Sequence, residues 1–326
     1  MRFLMLFLML LPILLPAKNL RCDICGKKVR GRYIVSGNKT FCSAQCFEKT
    51  LPNCAVCRKK IREGHEYKGK KYCSIPCMKT AFPKCDVCGN PIAGTYKKFE
   101  TAEGRIGQMC LHCSRLSRCF ACELPAQTTR LPDGRHICRE CEKQRMTPEE
   151  EKALFWEIKQ KVEKILGKKN RCPVKLRIVD SLELKRLFPD KIVSQNEIKL
   201  GTCHVNMKVQ TINEKKKKVI RSECTVYLLS NMPRGKFIDS ASHELAHHWQ
   251  YHQYPFLSRD PLKIPEGFAE YVSSLVNDEY GQPEYNRRKE KRRDPVYGAG
   301  FRMYRKIAGR HGLPAVFNYM KQNSSE

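Results

Sequence analysis

Sixteen of the nineteen cysteines in this 326-residue chain lie between Cys22 and Cys141, and they fall into four blocks built on one plan. Cys22 and Cys25 precede Cys42 and Cys46; Cys54 and Cys57 precede Cys73 and Cys77; Cys85 and Cys88 precede Cys110 and Cys113; Cys119 and Cys122 precede Cys138 and Cys141. The first cysteines of successive blocks are 32, 31 and 34 residues apart, which marks a true internal repeat. A Cys-x2-Cys turn with a second cysteine pair further along supplies four thiolates that close tetrahedrally on zinc. Units this short cannot bury an adequate apolar core, so metal coordination must supply much of their folding free energy. The array predicts about four structural zinc ions, one per block. His65, His112 and His136 are left as spare surface histidines because every block already has four sulfurs. The first two blocks match closely, with Phe41-Cys42-Ser43 answered by Tyr72-Cys73-Ser74 and Lys49-Thr50 by Lys79-Thr80.

A second pattern lies far from the cysteines. His243-Glu244-Leu245-Ala246-His247 is followed, after eighteen intervening residues, by Glu266 in the run Ile264-Pro265-Glu266-Gly267-Phe268-Ala269-Glu270. On a helix His243 and His247 project from one face and can share one metal ion, while Glu244 beside them suits the general-base role toward an attacking water. The spacing and context of Glu266 resemble the third-ligand segment of gluzincin peptidases of the aminopeptidase N kind. Two imidazoles and one carboxylate would leave a fourth zinc position open, which separates a catalytic site from a structural one. Glu270, one helical turn beyond Glu266, is the rival third ligand or a partner that orients a histidine. His248 and His252 also repeat at four residues and are read as solvated or supporting groups. Ile238, Ala241, Leu245 and Trp249 form an apolar stripe for packing beneath the site. Tyr271, Tyr297, Arg302 and His311 are the candidates for steadying an oxyanion.

Residues 1–17 read as a secretory signal peptide, with one early positive charge, an apolar run shorter than a full span and Pro16-Ala17 before Lys18. Leu15 stands where a small residue is preferred for cleavage, so a membrane anchor formed by the uncleaved segment is the alternative. Export and zinc thiolates pull in opposite directions, since oxidising compartments favour disulfides. The knuckle spacing decides for zinc. Cys203 and Cys224 could form a disulfide, and Cys172 is then left over. The formal charge is +29, with a pI near 9.6. For an exported chain this excess favours an anionic envelope surface over nucleic acid, and no block has the reading helix of a C2H2 finger. The runs Lys215–Lys218 and Arg287–Arg293 read as solvated loops or helix faces.

The expected organisation is a signal peptide over 1–17, two four-cysteine fingers over 18–82, a pair of LIM-like fingers over 83–145, and an α+β metallopeptidase domain over 146–326. Thr147-Pro148-Glu149-Glu150 reads as a capped helix start, and Leu154, Phe155, Ile158, Val162, Ile165 and Leu166 follow at helical spacing. Strands are predicted at Val174–Val179 and Thr225–Leu229, followed by the turn Asn231-Met232-Pro233-Arg234-Gly235, the metal helix, a helix carrying Glu266 and a last helix from about Phe301.

Residues from Arg118-Cys119 through Glu123, from Leu131 through Cys141, Met232-Pro233-Arg234, Ser242 through Trp249, Pro265-Glu266-Gly267, Tyr297 through Arg302 and His311-Gly312-Leu313 run in the order found in one family. Over roughly residues 83–325 the chain resembles the LIM-domain zinc peptidases first known as plant organ-size regulators of the "DA-one" type, and their bacterial relatives. The resemblance implies a zincin fold, treble-clef LIM-like fingers, one catalytic zinc on His243, His247 and Glu266, and hydrolysis of peptide bonds in protein substrates. LIM-like finger pairs commonly bind other proteins, so the fingers are read either as a platform for a protein partner or as a rigid spacer or lid on the peptidase. By resemblance to zincins, Thr225–Ser230 is the candidate edge strand that pairs with extended substrate. The ubiquitin-interacting helices of the plant members have no counterpart in this chain. The competing reading is a LIM-type zinc-binding adaptor whose peptidase domain is inactive.

Overall fold

The computed structural model describes residues 20–100, 106–189, 200–213, 216–257 and 261–324; the expected signal peptide lies outside them. No helix among the described residues is long and apolar enough to cross a membrane. The chain divides into two compact units, one ending at Tyr96 and the other running from Lys97 to Glu326.

In the first unit each finger is a hairpin followed by one short helix. Finger 1 has β1 (Ile34–Ser36) paired antiparallel with β2 (Lys39–Phe41), then α1 (Ala44–Glu48). Finger 2 repeats this with β3 (His65–Tyr67), β4 (Lys70–Tyr72) and α2 (Ile75–Lys79). The geometry explains the repeated tripeptide. Its aromatic residue, Phe41 or Tyr72, closes a miniature core with Cys22 and Val29, or with Cys54 and Ile61. Its cysteine, Cys42 or Cys73, belongs to a group of four that could hold a metal ion. Its serine caps the helix, Ser43 Oγ accepting from the Cys46 amide and Ser74 Oγ from that of Cys77. Strands β5 (Tyr96–Glu100) and β6 (Ile106–Cys110) belong to the third block.

The second unit contains the fourth finger: β7 (Thr128–Arg130), β8 (His136–Cys138) and α3 (Arg139–Glu142). This finger is no separate bead. Cys119, Phe120, Ala121, Leu131, Ile137 and Cys138 are buried in the same hydrophobic cluster as the helices that follow. Helix α4 (Pro148–Ile165) begins with the expected capping box, Thr147 and Glu150 each accepting from the other's amide. Next come β9 (Val174–Val179), α5 (Ser181–Leu187), β10 (Gly201–Asn213) and β11 (Lys216–Leu229).

The sheet order is β10-β11-β9. Strand β11 pairs antiparallel with β10, with Gly201 opposite Leu228, and parallel with β9, with Cys224 opposite Val174. The segment Thr225–Leu229 is therefore the middle of the sheet and cannot present a free edge to substrate. Its Val226, Leu228 and Leu229 are fully buried, and this fits a strand with a partner on each side. Among the described residues the outer strands of this sheet are β10 and β9.

Four helices complete the unit: α6 (Arg234–Gln253), α7 (Lys263–Glu279), α8 (Pro283–Lys291) and α9 (Tyr297–Gln322), the last kinked at Gly312. Ile238, Ala241, Leu245 and Trp249 of α6 are all buried, as their spacing requires. Helices α7 and α9 touch backbone to backbone, for a Cβ on Gly267 would lie 2.5 Å from Gly300 Cα. Only glycine permits that approach, and it locks the helix bearing Glu266 in place.

Candidate metal centre

Helix α6 presents His243 and His247 on one face, and α7 brings Glu266 to them. His243 Nε2 lies 3.2 Å from His247 Nε2 and 3.1 Å from Glu266 Oε2, and His247 Nε2 lies 3.3 Å from the same oxygen. A tetrahedral zinc with bonds of about 2.0–2.1 Å holds its ligand atoms about 3.3–3.4 Å apart. The three atoms thus form one face of a zinc-sized tetrahedron, and the group could hold a metal ion.

Electrostatics supports a cation at this point. Burial alone would pull the His243 imidazole down, but its bond to Glu266 and the charges of Glu270, Glu266 and Glu244 more than offset that and raise it to about 9. Burial would push the Glu266 carboxyl up, yet the charge of His247 and the bonds to both imidazoles hold it well below the usual range. The pocket demands positive charge, which a metal ion supplies in place of a proton.

The far side of each imidazole is supported differently. His247 Nδ1 donates to Gln250 Oε1 at 3.1 Å, while His243 Nδ1 faces Glu270 Oε1 at 3.8 Å. Glu270 sits behind His243, and Glu266 is the carboxylate that gathers with the two imidazoles in the group that could hold a metal ion. Glu244 is buried beside Gly201 of β10, where a Cβ would come 3.0 Å from Glu244 Cγ. The edge strand therefore runs past the general-base candidate.

Of the four oxyanion candidates, Tyr297 has its ring 6.3 Å from that of His243, and the Arg292 guanidinium lies 4.4 Å from the centre of the same tyrosine ring. Arg302 instead donates to the carbonyls of Glu290 and Arg292, Tyr271 is buried in the core, and His311 is exposed on α9. The expectation that His248 is solvated or supports a ligand is not met. It is buried between Asn170 and the carbonyl of Cys172, tying α6 to the segment before β9, and burial lowers its imidazole to about 4.

The sixteen array cysteines gather as four groups of four. Sulfur pairs lie 3.6 Å apart in block 1 (Cys25 to Cys42 and Cys42 to Cys46), 3.4 and 3.7 Å in block 2 (Cys57 to Cys73 and Cys73 to Cys77), and 3.9 Å in block 4 (Cys122 to Cys138). A zinc with bonds of about 2.3 Å to sulfur spaces its ligands about 3.8 Å apart. Within block 1 backbone amide donation, that of Cys42 first, lowers the Cys22 thiol to about 6, while side-chain hydrogen bonds with Cys25 and Cys46 raise that of Cys42 to about 12. Several clusters that could hold zinc in tandem small fingers are thus in place. Cys203 and Cys224 bring their sulfurs to 3.2 Å, whereas Cys172 accepts from Ser222 Oγ.

The residue that sequence reasoning missed is Lys289. It sits in the basic run 287–293, read as solvated, yet it is buried against Asp239 and Glu270 behind the metal group. Its spacing on α8 gives no periodic apolar signal that would have exposed this. The sequence matches no protein-family profile and no curated protein.

Proposed function

We propose that the chain is an exported zinc endopeptidase of the zincin kind, with finger 4 built into its catalytic body and the preceding fingers free to recognise protein. The observation that carries this reading is the triangle of His243 Nε2, His247 Nε2 and Glu266 Oε2, whose edges suit zinc and leave one ligand position open. Zinc bound there would supply Lewis acidity, polarising a peptide carbonyl and making water acidic enough to lose a proton near neutral pH. Glu244 takes that proton and delivers it to the nitrogen of the departing amine. Gln250 holds the His247 ring by a hydrogen bond at Nδ1, and the Glu270 charge lies behind His243 Nδ1, so that both Nε2 atoms are directed to the site. Tyr297 is the best placed of the four candidates to donate to the developing oxyanion.

An extended peptide pairs most simply with β10, an edge strand among the described residues, near Gly201 and Glu244. Export rests on residues 1–17 alone. The resemblance to the LIM-domain peptidases supports the same activity from the order of motifs.

The test is to incubate the zinc-loaded chain with a mixture of unfolded proteins and count new amino termini by mass spectrometry, with Glu244→Gln in parallel. Cleavage should fall by about 10²–10⁴-fold in the variant. Equal cleavage by both would remove Glu244 from the reaction, and no cleavage by either would favour the adaptor reading.

A further inference from the structure

Lys289 projects from α8, within the basic run 287–293, yet only 7 % of its surface is exposed. Its Nζ lies 2.8 Å from Asp239 Oδ1 and also contacts Glu270 Oε2. Asp239 stands on α6 one turn before His243, and Glu270 stands on α7 one turn after Glu266. Asn277 Nδ2 donates to the same Asp239 oxygen at 2.8 Å. Arg292 approaches the other Glu270 oxygen at 3.8 Å, the oxygen that faces His243 Nδ1. One ammonium therefore joins three helices directly behind a histidine whose Nε2 points at the metal group.

A buried ammonium is costly to desolvate and persists only where its carboxylates compensate it. Apolar side chains in place of all three groups, Lys289, Asp239 and Glu270, would close the same helix junction at least as cheaply, so the choice of a charged triad calls for a role that packing does not give. We propose that Lys289 is a positioning residue for the metal centre. It holds the Glu270 carboxylate 3.8 Å behind His243 Nδ1, where its charge favours the proton on Nδ1 and the free electron pair of Nε2 toward the ion. Asp239 anchors the ammonium to the metal helix itself, so that α6, α7 and α8 keep one geometry. This inference rests on the metal-centre reading above.

The test uses the full chain with its four cysteine groups filled by zinc and measures binding of one further zinc by chelator competition, with His243→Ala to identify that site. Lys289→Met alone would leave two buried carboxylates facing each other, so the main variant is Lys289→Met with Asp239→Asn, which keeps the charge balance. Binding at the fifth site should weaken about 10–100-fold, and cobalt(II) placed there should show a shifted d–d absorption, while the chain without the fifth ion melts as wild type does. A fifth-site affinity within about twofold of wild type in the double variant would overturn the proposal and leave Lys289 a plain helix clamp. Should the double variant not fold, Glu270→Gln, which keeps the side-chain size and removes the charge that Lys289 holds, is read against the same two outcomes. A wild-type chain that binds no fifth zinc would sink the metal-centre reading itself, and this inference with it.

Discussion

Between the first two cysteines of a finger stand Asp23 and Ile24 in block 1, Ala55 and Val56 in block 2, and Phe120 and Ala121 in block 4. The backbone treats them alike. The amide of the first residue donates to a carbonyl of the second hairpin strand or its equivalent in each case: Asp23 to Thr40, Ala55 to Lys71, and Phe120 to His136, at 2.9, 3.0 and 2.7 Å. The side chains go opposite ways. Ile24 and Val56 are 39 % and 45 % exposed, whereas Phe120 and Ala121 are 7 % and 4 %. A frame of four cysteines fixes a finger's backbone, and two side chains on its knuckle decide whether it stands alone or becomes part of a larger core.

The integration of finger 4 reaches the metal helix. Arg135 donates to the Ser230 carbonyl, the Arg234 amide to that of Gln144, and Arg288 on α8 to that of Cys122. The three bonds join the finger, respectively, to the turn after β11, to the start of α6 and to the helix bearing Lys289. Structural zinc contributes on the order of 10 kcal/mol to a small finger, comparable with the whole stability of an ordinary domain. Cys138→Ser is therefore expected to lower the melting temperature of the second unit by more than about 10 °C and to abolish zinc binding at His243, His247 and Glu266. Cys42→Ser should cost one zinc and leave that site intact, because the buried cluster of finger 1 closes on Cys22, Val29, Phe41 and Cys46. Calorimetry with zinc counting checks both. An intact fifth site in Cys138→Ser would break the comparison.

A smaller effect comes from comparing two ion pairs. Arg135 and Asp133 are 2.7 Å apart with both side chains about 3 % exposed, and Asp133 also accepts from the Ser181 amide at 2.9 Å. Arg62 and Glu48 pair across fingers 2 and 1 with 66 % and 43 % exposure. Removing one partner of a buried pair strands the other, so Arg135→Met should destabilise the second unit by about 3–5 kcal/mol. Arg62→Met should change stability by less than about 1 kcal/mol. Denaturant unfolding of both variants decides it.

This contrast also marks what sequence could show. Cysteine spacing and the His243, Glu244, His247, Glu266 pattern act through residue type and local geometry, so the four cysteine groups and the metal triangle were legible in advance. So was the Thr147 cap, a purely local arrangement. Strand order was not, because Thr225–Leu229 looks the same in sequence at an edge or in the centre until β9 and β10 are known to flank it. Lys289 was illegible for the same reason. Its burial depends on Asp239 and Glu270, brought to it from helices distant in sequence, and a lysine in a basic run carries no local sign of that. The fusion of finger 4 was half legible: Phe120 and Ala121 are more apolar than their counterparts in block 1, but what they pack against lies further along the chain.

The junction where finger 4 passes into α4 carries a pH-dependent effect with a definite sign. Glu151, in the first turn of α4, is buried, and desolvation raises its carboxyl to about 7, with Arg145 offsetting part of the rise. In the unfolded chain the same group titrates near 4.5. Between these values the folded protein holds a proton that the unfolded chain has released, so stability is greatest below 4.5 and declines as pH rises toward 7. Arg145 and partial solvent contact screen the cost, leaving about 1–2 kcal/mol. Glu151→Gln keeps the shape and removes the titration. It should be about as stable as wild type at pH 5 and more stable at pH 8, so that its stability against pH is flatter over this interval. A parallel offset at both pH values would instead assign the effect to packing, and the seam between finger and helix bundle would then be insensitive to pH.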